Sequence, residues 1–272
     1  MQVGAYQFDV QRGDFGANLA QAIRGVEAAA EAELALVVLP ELWPTSFPAH
    51  ADASPAFVEP SLRAVEVLAR RAAELGVAVA GSAFAPSPEA GERPRNRLHL
   101  LVEEEDRLGF DKLHLFSPTG EPLAFSSGEA PPRVASVADT AVGGVVCYDL
   151  RFAAPLEFLA AAELVVVPAQ WPEARARHWR ALLVGRAVEL QAYVLGANRV
   201  GEESLGRTRK LVFAGGSALV APDGEVLSEL GQEAGLVAGE VDSERVRRVR
   251  RAVPVARDRR SELYDSWRRQ GS

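Results

Sequence analysis

The run Leu34-Ala35-Leu36-Val37-Val38-Leu39-Pro40 sets the first limit on the fold. A strand that is apolar on both faces has to be covered on both, as in the sheets of α/β proteins, whereas a strand with one solvated face alternates apolar with polar. Helical patterns flank this run. Before it, an alanine-rich segment with Asn18 as its expected N-cap extends to about Glu31. After it, Leu62, Val65, Leu68, Ala69 and Ala72 recur at helical spacing between Pro60 and Leu75, and Gly76 ends the helix.

The alternation continues to the end of the chain. Strands are expected at Gln2–Phe8, Val77–Phe84, Leu98–Val102, Phe110–Phe116, Val134–Val137, Ala141–Cys147 and Leu164–Val167. Four more are expected at Tyr193–Val200, Ser217–Ala221, Glu225–Leu230 and Leu236–Val241, the middle two joined by an Asp223-Gly224 turn. Helices are expected over Ala153–Ala162 and Ala174–Ala192. With no repeat of 20 to 50 residues and no shift in composition, residues 1–272 read as one α/β domain. The pattern leaves open whether its sheet closes, stacks or stays open.

Cysteine and charge narrow the class. A single cysteine in 272 residues excludes an intramolecular disulfide and argues against a secreted, stapled protein. Met1–Gln7 lacks the pattern of a signal peptide and no apolar run approaches a membrane span, so a cytoplasmic protein without membrane contact is expected. The net charge is −7, yet residues 244–269 carry ten arginines against four acids. That tail carries no motif of a nucleic-acid-binding module, so it reads as a segment packing on acidic surface of its own or a neighbouring subunit, with no nucleic-acid partner. Of the 30 basic residues only Lys112 and Lys210 are lysines, and a retained lysine marks a place that needs a compact ammonium.

The cysteine falls in Gly143-Gly144-Val145-Val146-Cys147-Tyr148-Asp149-Leu150-Arg151-Phe152, where a β-branched run ends and a turn begins. A lone cysteine is by default a small buried hydrophobe. Placed at a strand exit before a helix, it has the geometry of a nucleophile elbow. A thiol needs a base or a positive neighbour to react at neutral pH. Among the histidines His50, His99, His114 and His178, the best placed is His114, which the alternation puts on one strand face with Lys112. The other possible bases are Glu41 and Glu121, which both follow expected strands. If they converge on Cys147, three acidic groups share a pocket and a lysine beside them offsets one charge. No histidine or cysteine spacing fits a metal site, and Gly215-Gly216-Ser217 opens a strand, which suits neither a phosphate loop nor a serine nucleophile.

Three ordered segments, Leu39-Pro40-Glu41, Asp111-Lys112-Leu113-His114-Leu115-Phe116 and Val146-Cys147-Tyr148-Asp149-Leu150-Arg151-Phe152, resemble the nitrilase superfamily of carbon–nitrogen hydrolases. The likeness extends through Trp171-Pro172, His178-Trp179, Arg186-Ala187-Val188-Glu189 and Asn198-Arg199-Val200-Gly201, and is greatest to the omega-amidase branch. The resemblance implies a four-layer α-β-β-α sandwich without a cofactor, pairing of subunits to which residues 244–272 contribute, and hydrolysis of a small carboxylate-bearing amide such as 2-oxoglutaramate. It implies Cys147 as nucleophile, Glu41 as general base, Lys112 with the Tyr148 N–H as oxyanion donors, and Glu121 as the second glutamate. The segment Ser117-Pro118-Thr119-Gly120-Glu121-Pro122 lacks the histidines that flank this glutamate in close amidase relatives. Phe116 and Trp171 are expected to wall the pocket, and Arg151, Arg199 or Arg175 to clamp a substrate carboxylate. The rival readings are an N-carbamoyl amidohydrolase, a deaminated-glutathione amidase, a nitrilase, a catalytically silent binding protein and a thiol sensor.

Overall fold

The computed structural model describes residues 1–205 and 209–270. The chain first lays down β1 (Gln2–Gln7), α1 (Phe15–Glu31), β2 (Leu36–Val38), α2 (Val58–Glu74), β3 (Ala78–Ala85), β4 (Arg95–Val102), β5 (Glu105–Asp106) and β6 (Phe110–Asp111). Strands β1, β2 and β3 pair in parallel, and β4 joins β3 antiparallel. The chain then passes α3 (Glu121–Ala124) and builds a second sheet. Its parts are β7 (Val134–Val137), β8 (Thr140–Gly144), α4 (Ala153–Leu156), β9 (Leu164–Ala169), α5 (Ala176–Leu190) and β10 (Tyr193–Asn198). A hairpin of β11 (Glu202–Leu205) and β12 (Arg209–Val212) follows, then β13 (Ala218–Val220) and β14 (Val226–Glu229) complete the sheet in the order β14-β13-β10-β9-β8-β7. Finally β15 (Gly235–Glu240) returns to pair with β1, from Gln2 opposite Glu240 to Gln7 opposite Gly235.

The strand period of two sorts side chains into layers. Val3, Ala5, Leu36, Val38, Ala78, Ala80, Leu98 and Leu100 face the second sheet, where Val142, Val166 and Leu195 meet them. The intervening Val37, Val79 and Leu101 face outward and are covered by Ala22, Val26 and Ala29 of α1 and by Val65, Leu68 and Ala72 of α2. On the far side α5 lays Trp179, Leu183 and Ala187 on the second sheet. The order is therefore helices, sheet, sheet, helix, a four-layer α-β-β-α sandwich, and each fully buried Val or Leu contributes about 1.5–3 kcal/mol to it. The unbroken apolar run at Leu34–Leu39 is required because β2 is covered on one face by helices and on the other by the second sheet.

Three local expectations are corrected. Asn18 does not cap α1: Asp14 does, its carboxylate accepting from Ala17 N at 3.0 Å. Asn18 lies buried in the first turns and donates to Gln11 O at 2.6 Å and Pro44 O at 3.0 Å, which ties the helix to the loop after β2. The helix expected over 153–162 is only α4 and a following 3₁₀ turn, Glu157–Leu159, because the chain must turn back at once for Glu163 N to reach Ala141 O at 2.8 Å. The strand expected over 110–116 stops at Asp111, since the N–H groups of Leu113 and His114 bond the Asp149 carboxylate, at 3.4 and 2.8 Å, and not a neighbouring strand.

The arginine-rich tail forms α6 (Ser243–Ala252), α7 (Val255–Asp258) and α8 (Ser261–Gln270); residues 271 and 272 lie outside the described residues. It packs partly on its own chain. Val246 is buried, and Arg250 donates to Gln191 O at 3.2 Å and Ala162 O at 2.6 Å. Arg245 grips Asp223 at 2.7 Å and Glu225 at 2.5 Å, and Arg259 pairs with Glu157.

Candidate active site

Parallel strands end together, and the site is built on those ends. Pro40 and Glu41 follow β2, Cys147 follows β8 by three residues, and Gln170 follows β9 directly. At the elbow Cys147 adopts φ 46°, the left-handed region that costs a residue with a Cβ of the order of 1–3 kcal/mol. The surrounding sheet supplies that energy, and the sulfur is thereby turned out of the strand toward a cavity of about 820 Å³. Cys147 is only 8% exposed.

Four more side chains converge there, all but sealed from solvent. Lys112 Nζ donates to Glu41 Oε1 at 2.7 Å and to both carboxylate oxygens of Glu121 at 2.8 Å. Asn96 of β4 donates to Glu41 Oε1 at 2.9 Å and reaches Glu121 Oε1 at 3.4 Å. The other oxygen of Glu41 accepts from Gln170 N at 3.0 Å, while the Gln170 side chain returns a bond to Glu41 O at 2.8 Å. Phe116 N donates to Glu121 Oε2 at 2.6 Å. The Cys147 thiol lies beside them, where both the Glu41 carboxylate and the Gln170 N–H act on its ionisation.

The charges follow from this arrangement. Burial first, then the neighbouring Glu41 carboxylate, pushes the Cys147 thiol well above its usual range, with Lys112 opposing. Burial alone would neutralise Lys112, but the carboxylates of Glu121 and Glu41 outweigh it and hold the ammonium charged. Burial raises the Glu121 carboxyl above its usual range, with Lys112 opposing and the neighbouring Glu41 adding to the rise. The resting site thus sets a neutral thiol beside a charged ammonium.

The structure brings together Glu41, Lys112, Glu121 and Cys147, and adds Asn96 and Gln170, which the sequence reading missed. Asn96 carried one usable signal: it shares the inward face of β4 with Leu98 and Leu100, so it is a polar residue at a core position. His114 is not beside Lys112. It bonds Asp149 at 2.8 Å and stacks on Phe152 with centroids 3.6 Å apart. His99 pairs with Asp106 at 2.8 Å. Ser217 is fully buried and bonded to Gln7 at 2.7 Å. Among the described residues no cluster of histidine, cysteine and carboxylate side chains could hold a metal ion.

Phe116, Tyr148, Arg151, Trp171 and Arg175 all line the cavity. The Arg151 guanidinium lies 4.7 Å over the Trp171 ring with Nη2 3.2 Å from His178 Nδ1, and that of Arg175 lies 5.4 Å over Phe116. Neither has a carboxylate partner among the described residues. Arg199 does not line the cavity: it is fully buried and paired with Asp9 and Glu203, each at 2.7 Å.

A four-layer sandwich that presents a cysteine elbow to a buried Glu-Lys-Glu set defines the carbon–nitrogen hydrolases. The model of that family, carbon-nitrogen hydrolase, matches residues 2–251, and the chain belongs to it. Within the family it is 29% identical to the 2-oxoglutaramate amidase of Bacillus subtilis (strain 168), covering 96% of this chain and 98% of that one. It is 33% identical to the omega-amidase YafV of Escherichia coli (strain K12) over 82% of this chain and 83% of that one. Among solved structures, a mutant amidase from Nesterenkonia sp. AN1, with acrylamide added at its active site cysteine, superposes with a TM-score of 0.82 at 29% identity, covering 98% of this chain and 99% of that one.

Proposed function

We propose that the protein is a cysteine amidohydrolase of the omega-amidase type, releasing ammonia from a small amide that carries a carboxylate at its far end. The observation that carries the reading is the convergence of three groups in one buried site: Glu41, bonded to Lys112 at 2.7 Å, beside the Cys147 thiol whose ionisation both of them govern. As sulfur attacks the amide carbon, the thiol proton passes to Glu41. Lys112 and the Tyr148 N–H hold the oxyanion, and a single donor of this kind is worth about 2.7–4 kcal/mol. Glu41 then gives the proton to the leaving nitrogen, the C–N bond breaks and ammonia departs, leaving a thioester on Cys147. A water delivers its proton to Glu41 and attacks the thioester carbon; the sulfur leaves, takes the proton back, and the acid is released. Glu121 keeps the ammonium charged and aimed.

The relatives named for 2-oxoglutaramate and omega-amides support the substrate class. So does the cavity, where Phe116, Tyr148 and Trp171 supply walls and Arg151, with one nitrogen at His178, keeps the rest of its fork for a carboxylate. Ammonia release from omega-amides, without carbon dioxide from carbamoyl amino acids and without turnover of nitriles, is the expected profile. Mass spectrometry should trap the acyl group on Cys147, and full activity in Cys147→Ala would end the proposal.

The same reading includes a single hydrolase domain spanning the chain, a cytoplasmic setting that keeps a catalytic thiol reduced, and pairing of two copies. Phe158, Val253 and Trp267 are 63%, 58% and 57% exposed on and beside the C-terminal tail, which supports pairing there.

A further inference from the structure

Behind the cavity lies a second buried polar cluster that the hydrolysis steps do not use. Its centre is Arg199, just past the end of β10. Nη1 donates to Glu203 Oε1 at 2.7 Å, Ser46 Oγ at 3.0 Å and Gln170 Oε1 at 3.0 Å. Nη2 donates to Asp9 Oδ1 at 2.7 Å, and Nε to Val200 O at 3.2 Å. The guanidinium also lies 4.1 Å over the Phe213 ring. Arg12 adds a second cation on Glu203 at 2.8 Å, so two arginines balance two carboxylates.

These contacts join two parts of the site. Glu203 of β11 and Phe213, just after β12, are wall residues of the cavity, and Arg199 holds both from behind. Gln170 is the residue that fixes Glu41, through its backbone N–H to the carboxylate and its side chain to the Glu41 carbonyl. A side-chain amide can turn over; with Oε1 bound to Arg199 and Ser46 Oγ, only Nε2 can face Glu41. The turn beside it is shaped for this cluster. Gly201 has φ 89°, and a Cβ there would lie 2.1 Å from Asp9 Oδ1, so glycine lets the carboxylate approach.

We propose that Arg199 is a positioning residue that locks the β11–β12 wall of the cavity to the Gln170 loop, and through that loop fixes the general base Glu41 against the Cys147 thiol. This rests on the hydrolase reading for the role of Glu41, but the contacts and the thiol's reactivity do not require any particular amide.

Two readouts test it on the full-length protein. The first is the rate at which acrylamide adds to Cys147, followed by intact mass; the second is kcat and KM on an omega-amide, with kcat expressed per site titrated by the ammonia burst. Arg199→Met should slow both rates about tenfold or more, as expected for misplacement of a base by a fraction of an ångström, with KM within about twofold. Arg199→Lys, which keeps one charge but not the fork, should recover part of the loss. Asp9→Asn alters the partly exposed partner and should give a smaller loss in the same direction, even if Arg199→Met does not fold. Normal rates per titrated site with fewer sites would mean that Arg199 only stabilises the fold, and would overturn the proposal, as would wild-type rates in both Arg199→Lys and Asp9→Asn. A wild-type protein that adds acrylamide but hydrolyses no amide would sink the functional reading and leave the Arg199 comparison decided by the alkylation rates.

Discussion

In the proposed reaction Cys147 is a thiol that hands its proton to Glu41 during attack, in contrast to enzymes that store a thiolate. Burial and Glu41 raise its pKa above the free-cysteine value of 9.0, so the rate of alkylation by iodoacetamide should keep climbing as pH rises past that value. A plateau at neutral pH would contradict this, and Glu41→Gln should slow, without abolishing, the alkylation measured at pH 7. Lys112 is the counterpart. Lys112→Met leaves two carboxylates buried without their cation, a change that costs about 3–5 kcal/mol at neutral pH. The carboxyl pKa values in the folded variant then lie above their unfolded values. Their contribution is retained below the unfolded value and lost as pH rises, so the variant's Tm should recover on acidification toward pH 5 by more than that of the wild type, as thermal scans across pH would reveal. The meeting of Cys147, Glu41 and Lys112 was legible because each sits in a contiguous motif. Gln170 was not, because its role depends on an amide bonding a residue 129 positions away in sequence.

Elements that carry the site are held by close approaches between backbones rather than by their own propensity. The segment after β6 shows why its end was misread. Alternation at Phe110–Phe116 suggests a strand, but the chain leaves the sheet at Lys112, whose N–H bonds Asn96 O at 2.9 Å and whose carbonyl accepts from Gly128 N at 2.8 Å. Gly128 can come that close only because it lacks a side chain: a Cβ would lie 2.2 Å from Asp111 O. Gly128→Ala should therefore displace Lys112, costing about 1–3 kcal/mol of stability and reducing kcat by at least tenfold, measurable by thermal unfolding and burst-corrected kinetics. Normal kcat with a lowered Tm would place the strain elsewhere. The strands and long helices, by contrast, were readable because the two periods, 2 and 3.6, report which face is buried. The turns were not, since Asp149, a distant carboxylate, decides where the His114 segment bends.

At the scale of the molecule, the layer order was not readable from periodicity, because a strand buried on both faces is equally at home in a barrel, an open sheet or a stack. The family resemblance supplied it. Some of the largest apolar side chains left exposed lie on and beside the C-terminal end. There α6 is fixed to the second sheet through Arg250, while Phe158, Val253 and Trp267 remain largely exposed, beside a tail rich in arginine on a chain whose remainder is acidic. Large exposed side chains in a segment otherwise anchored by hydrogen bonds to its own core suit a symmetric interface, in which the same patch on two copies is mutually covered. The expected result is a dimer in sedimentation equilibrium at micromolar concentration. Phe158→Glu, which places a charge in the covered patch, should shift it toward monomer, and raising salt should weaken it if the tail's arginines face acidic surface across the interface. Monomeric wild-type protein, or a dimer indifferent to Phe158→Glu, would mean that this patch is not where two copies meet. Glu41, Lys112, Glu121 and Cys147 converge within one chain, so the Phe158→Glu monomer should still add acrylamide to Cys147, and loss of that reaction would show that the interface shapes the site.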